Sequence, residues 1–201
     1  RPLEGIKVVE FSHMVLGPSC GLILADLGAD VVKVEPAPGG DKTRQLPGSG
    51  SGFFGAFNRN KRSVAVNLKS PEGHKFATNL ILESDVLIEN FGTGVMDRLG
   101  LSYKAIQEIN PRLIYCALKG FLSGPYENRA ALDEVVQMMG GLAYMTGPKG
   151  RPLRAGASVN DLVGALFGTV AIQAALLERQ RTGEGTFVRS GLFESNMFLV
   201  A

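Results

Sequence analysis

The 201 residues, 45% of them hydrophobic, suffice to bury a sizeable core and form one domain. A net charge of +2, with both signs interspersed and no charged tail, excludes the electrostatic footprint of a nucleic-acid binder. Cys20 and Cys116 form no CxxC, and with only two His they offer no recognisable metal set. Both lie in apolar segments and read as reduced, buried thiols of an intracellular, cytoplasmic protein.

Charge enters at Arg1 and Glu4 before any apolar run develops, so the opening does not read as a signal peptide. Residues 6–11 predict a strand, followed by a helix over about 18–27. A second strand at 31–35 is closed by Pro36-Ala-Pro-Gly-Gly40, and a third at 63–67 leads into a helix over 71–83. The fourth strand, 85–89, precedes helical stretches at 94–99 and 103–109, and a fifth follows at 113–118. Repeated β-α units predict an α/β, Rossmann-like fold, a parallel sheet flanked by helices on both faces.

Ligands of such sheets bind outside the carboxyl ends of the strands. That rule selects residues 12–19, 36–44, 67–69, 90–94 and 119–124, most of which contain glycine. None holds GxGxxG or GxxxxGK[ST], and Pro18 stiffens the nearest approach, Gly17-Pro-Ser-Cys-Gly21, so a standard dinucleotide site is not expected.

Residues 126–154 differ in texture, with a helix near 133–140 and a turn-rich stretch at 146–152. Gly156-Ala-Ser-Val-Asn-Asp161 then runs into an almost wholly apolar helix ending near Glu178, with a turn at 182–185 and a short strand at 186–189 beyond. Two Gly, a Thr and a Gln interrupt that helix, which fits a core or interface element better than a membrane span. Asp161 is the sole acid between Glu134 and Glu178, at a helix start where free N–H groups and the dipole favour an anion. Such a carboxylate is either a nucleophile kept ionised in a water-poor cleft or a plain N-cap.

The basic residues Arg59, Lys61, Arg62, Lys69, Arg98 and Lys119 suit either a phosphate-bearing ligand or a solvated surface. His13 is an acid-base candidate without an acid beside it, and His74 reads as a surface helix residue. Met138, Met139 and Met145 read as gap-filling core. Ser158 lacks a GxSxG setting, which gives serine-hydrolase chemistry little support.

Several pieces, in order along the whole chain, resemble the family III CoA-transferases. They include Pro2-Leu-Glu-Gly-Ile-Lys-Val-Val-Glu-Phe11, Leu16-Gly-Pro-Ser-Cys20, Leu27-Gly-Ala-Asp-Val-Val-Lys-Val-Glu35 and Asn58-Arg-Asn-Lys-Arg-Ser63. Leu87-Ile-Glu-Asn-Phe91, Ile109-Asn-Pro-Arg-Leu-Ile-Tyr115, Lys119-Gly-Phe121 and Thr182-Gly-Glu-Gly185 complete the set. The resemblance implies that residues 1–201 are the N-terminal portion of a large CoA-binding, catalytic domain in a chain about twice as long. It implies a CoA-transferase that moves coenzyme A from an acyl-CoA to a carboxylic acid through a covalent intermediate on Asp161. It further implies CoA contacts at Val15, Leu16, Val66, Lys69, Asn90, Phe91, Gly92, Arg98 and Arg129, no metal, no membrane or nucleic-acid partner, and an interlocked homodimer.

Two departures stand out. Pro36 occupies a position where many relatives carry an Arg that meets the nucleotide. Leu132 stands before Asp133 where the related acyl-CoA racemases carry His, which disfavours racemisation because that reaction needs a base on each face. A racemase or epimerase on the same scaffold, or a non-catalytic CoA- or nucleotide-binding module, are the alternatives.

Overall fold

The computed structural model describes residues 1–201, the side chain of Ser49 apart. In chain order the elements are β1 Lys7–Phe11, α1 Leu16–Asp26, β2 Asp30–Pro36, α2 Phe53–Phe57, β3 Arg62–Val66, α3 Pro71–Leu82, β4 Val86–Glu89, α4 Val95–Arg98, α5 Tyr103–Ile109 and β5 Ile114–Lys119. There follow α6 Asp133–Met139, α7 Leu142–Thr146, α8 Val159–Thr182, β6 Phe187–Gly191 and α9 Leu192–Val200.

All neighbouring strands pair in parallel, in the order β3-β2-β1-β4-β5-β6. The expected parallel sheet is therefore present, with its order reversing direction between β1 and β4. Strand alternation splits the core. Val8, Val86, Ile88, Ile114 and Cys116 pack toward one face with Leu24 and Ile172, whereas Val9, Leu87 and Tyr115 pack on the other with Ile81, Leu101 and Ile106.

The sheet also buries charge. Glu10, Lys33, Lys61 and Asp41 form a nearly water-free cluster, with Lys33 Nζ 3.3 Å from Glu10 and 3.1 Å from Asp41, and Lys61 Nζ 2.8 Å from Glu10. Two charges of each sign balance, as burial demands. Lys33 also donates to the Ser12 carbonyl at 2.7 Å, and Thr43 Oγ1 accepts from Met14 N at 3.3 Å, so the cluster pins the loop leaving β1.

α8 lies close on the sheet because its stripe facing α1 and β5 contains glycine. A Cβ on Gly164 would stand 2.9 Å from Leu16 Cδ1, and one on Gly168 2.7 Å from Leu118 Cδ2. Ala165, Thr169, Ile172, Ala175 and Leu176 continue the buried stripe, and Asp161 stands one turn before it. By length and composition α8 would suffice to cross a membrane, yet this stripe is packed against protein.

Two expectations need correction. Met138, Met139 and Met145 are 51%, 42% and 65% exposed, not core. The cations of residues 59–62 do not converge on a ligand, because Arg59 pairs with Asp26, Lys61 with Glu10 and Arg62 with Asp30. The far side of α8 is left uncovered, as an interface element would be, since Leu166, Phe167, Val170 and Leu177 are 52%, 38%, 60% and 67% exposed.

Candidate active site

A cavity of about 780 Å³ opens at the carboxyl ends of β1 and β4, where the sheet order reverses. That is where ligands of doubly wound sheets bind, and its size suits a small-molecule site. Its walls come from five parts of the chain. His13, Met14, Val15 and Leu16 follow β1, and Asn90, Phe91, Gly92 and Thr93 follow β4. Lys119 follows β5, with Glu127, Arg129, Asp133 and Glu134 beyond it. Arg154, Ser158, Asp161 and Leu162 stand around the start of α8, and Leu46, Phe53 and Phe57 form an apolar wall.

Asp161 sits in the first turn of α8, half-buried, near the positive end of the helix dipole. It is not the N-cap. Ser158 holds that position without a side-chain cap bond, and among the described residues no hydrogen bond or ion pair engages the Asp161 carboxylate. The role of cap falls to Asp133, whose Oδ2 accepts from Asn160 N at 2.7 Å and Asp161 N at 3.0 Å. Nor is Asp161 isolated in space. Burial, then the carboxylates of Asp133 and Glu134, push its carboxyl up to about 7 against the opposing pull of Arg154.

Other charged groups near the cavity are already partnered. Lys119 Nζ lies 2.6 Å from Glu89 Oε1 and donates to Phe91 O at 2.7 Å. Burial of Glu89 raises its carboxyl against the pull of Lys119. Arg154 pairs with Glu134 at 3.3 Å, and the Arg129 guanidinium stands 4.6 Å above the Tyr126 ring.

Of the residues singled out from sequence, Val15, Leu16, Asn90, Phe91, Gly92, Arg129 and Asp161 line this one cavity. Val66, Lys69 and Arg98 do not: Val66 is buried at the end of β3, while Lys69 is exposed in the turn before α3 and Arg98 at the end of α4. Near Pro36, Arg44 grips Glu35 with two 2.8 Å hydrogen bonds and lies 3.7 Å above the Phe54 ring. Although burial opposes ionisation of Glu35, the bonds from Arg44 and Ser63 bring its carboxyl down to about 2. Sequence reasoning missed the parts played by Asp133, Glu134 and Arg154, since Asp133 lies 28 positions from Asp161 and Arg154 lies 20 from Glu134.

Fold and site together define a Rossmann-like α/β protein with a carboxylate-bearing ligand cavity at the sheet's switch point. The chain belongs to CoA-transferase family III, whose pattern it matches over residues 3–201. It is 43% identical over 197 residues to a formyl-CoA:oxalate CoA-transferase of Rhodopseudomonas palustris, covering 96% of this chain and 46% of that protein. It is 39% identical over 212 residues to a succinate–glutarate CoA-transferase of Agrobacterium fabrum, covering 100% of this chain and 53% of that one. The crystal structure of a CAIB/BAIF family protein from Brucella suis superposes with a TM-score of 0.93 at 41% identity, over 100% of this chain and 55% of that one. The chain thus spans about half the length of the relatives it matches.

Proposed function

We propose that this chain carries the nucleophile and much of the coenzyme A site of an enzyme that moves CoA from an acyl-CoA to a carboxylic acid. The carrying observation is the unpartnered Asp161 carboxylate, half-buried in the cavity wall at the start of α8. An Asp161 oxygen attacks the thioester carbonyl, the C–S bond breaks, and CoA thiolate leaves an aspartyl–acyl anhydride. The thiolate attacks the aspartyl carbonyl, freeing the donor acid and leaving an aspartyl–CoA thioester. The acceptor carboxylate attacks that thioester and again expels CoA thiolate, which then attacks the acceptor's acyl carbon and returns Asp161 as a carboxylate. Thioester is exchanged for thioester, so no outside energy source enters.

A carboxyl near 7 is about half ionised at neutral pH and more basic than an ordinary carboxylate, which favours attack. The intermediates hydrolyse readily, so water must be kept out, and the apolar wall of Leu46, Phe53 and Phe57 serves that end. Val15, Leu16, Asn90, Phe91, Gly92 and Arg129 are assigned to CoA within the cavity, and Val66, Lys69 and Arg98 to its outlying portion.

The assembly we propose is a homodimer, supported by the apolar outer face of α8, with protein rather than lipid over that face. Two free, buried thiols fit a cytoplasmic setting.

The test is full-length enzyme with acyl-CoA and an acceptor acid, quenched and digested. The peptide holding Asp161 should gain the mass of an acyl group or of CoA, and CoA should appear on the acceptor. Exchange of an α-proton without any acceptor would point to a racemase instead, and neither reaction to a binding module.

A further inference from the structure

Helix α8 begins without a cap of its own. Ser158 makes no side-chain bond to the first turn, and the two amides that need an acceptor, Asn160 N and Asp161 N, both reach across to Asp133 Oδ2. Asp133 is 4% exposed and is itself held, since Gln137 Nε2 donates to its other oxygen. The fully buried Gln137 also grips the loop before α8, accepting from Ala155 N at 2.6 Å and donating to Ala157 O at 3.3 Å. Asn160 Nδ2 donates back to the Asp133 carbonyl at 3.5 Å.

A carboxylate in the first turn of a helix ordinarily turns toward the free amides there. At α8 those amides are taken. We infer that Asp133 is a positioning residue for Asp161, a cap supplied from another helix that fixes the first turn of α8 and leaves the Asp161 carboxylate free to face the cavity.

This rests on the covalent reading above and adds to it what aims the nucleophile. The arrangement has an electrostatic side as well. Around Asp161 stand Asp133 and Glu134 from α6 and Arg154 from the loop before α8. Farther along the same cavity are His13, Lys119, Glu127 and Arg129. Asp133 brings a like charge to the atoms it aligns, so the residue that orients the nucleophile also keeps it basic.

The experiment uses the full-length enzyme, with kcat, KM for acyl-CoA and the pH profile of kcat/KM measured for Asp133→Ala and Asp133→Asn. Misplacing a reacting group by about 1 Å costs on the order of a hundredfold in rate. Asp133→Ala is therefore expected to lose at least about tenfold in kcat with little change in KM. Asp133→Asn keeps an acceptor oxygen but not the charge. It should recover most of that kcat and move the acid limb to lower pH, because Asp161 loses a repelling neighbour.

Should Asp133→Ala fail to fold, the Asn variant decides. Wild-type kcat in the Ala variant, or a kcat in the Asn variant that does not recover, overturns the positioning role, and an unmoved acid limb in the Asn variant overturns its electrostatic side. Turnover by wild-type enzyme with no adduct on the Asp161 peptide defeats the covalent reading instead.

Discussion

Asn90 holds His13 by both ends of its amide: Oδ1 accepts from His13 N at 3.0 Å and Nδ2 donates to His13 O at 2.9 Å. This clasp joins the chain leaving β4 to the chain leaving β1 across the point where the sheet order reverses. The His13 ring lies over Phe91 with centroids 5.9 Å apart, and burial lowers its pKa below the usual histidine value. In this setting the backbone of His13 shapes the cavity. Asn90→Ala should lose both bonds, each worth about 0.5–1.5 kcal/mol, and should also raise KM for acyl-CoA. Asn90→Asp, which keeps the acceptor and loses the donor, should fall between. An unchanged denaturation midpoint in the Ala variant would show the clasp to be idle.

The sheet was legible because Val- and Ile-rich runs at 6–11, 31–35 and 85–89 match buried strands, with ends displaced by only a residue or so. α2 and α7, five residues each, were not, since a turn and a half of helix carries no readable period. The loops after β1 and β4 were legible only as two of five strand-end segments, because the strand order that singles them out came from the fold. Asp133 was not, because a tertiary cap joins residues 28 positions apart and leaves no local pattern. The same gap made Asp161 look isolated: an acid-free stretch of sequence says nothing about what folds against it. The basic run at 59–62 misled for the opposite reason, since its partners Asp26, Asp30 and Glu10 come from elsewhere in the chain.

Arg129 and Arg98 separate by position. Arg129 lines the cavity over the Tyr126 ring, whereas Arg98 is exposed outside it at the end of α4. If both meet CoA phosphates, each contact acts in ground and transition states alike, so substitution should raise KM and spare kcat. A charge-assisted hydrogen bond contributes roughly 1.5–3 kcal/mol, or about tenfold or more in KM. Arg129→Ala should show that rise, and Arg98→Ala a smaller one governed by salt. Steady-state kinetics in acyl-CoA decide, and an unchanged KM removes the residue concerned from the site.

Asp161 should cost the fold stability where it is most useful. Its carboxyl rises from an ordinary 3.8 to about 7, so the folded state favours the protonated form. That contribution is complete below about pH 4 and disappears as pH climbs through 7, leaving an ionised group in a poorly solvated wall. Asp161→Asn, neutral at every pH, should therefore raise the melting temperature at pH 8 more than at pH 4.5, while abolishing turnover. Melting curves of full-length enzyme at the two pH values test this. A gain independent of pH, or greater in acid, would mean that the carboxylate is not strained in the native state.

The outer face of α8 gives the last prediction. Leu166, Phe167, Val170 and Leu177 are more than a third exposed, and Phe198 of α9, 67% exposed, meets Phe167 edge to face at 5.1 Å. A contiguous apolar surface formed by two helices is what protein interfaces look like before they are covered. The matched region is only about half of each relative, and in those proteins further chain is present as well. We expect the full-length protein to sediment as a dimer, and residues 1–201 alone to aggregate or bind a hydrophobic dye. Val170→Asp in the full-length protein places a charge in the middle of the patch, well away from Asp161 at the cavity end of the helix. It should shift sedimentation toward monomer, or lower the yield of soluble dimer. A monomeric wild-type protein would overturn the homodimer. Residues 1–201 that stay soluble and monomeric, with cooperative unfolding and no dye binding, would show that the face needs no cover.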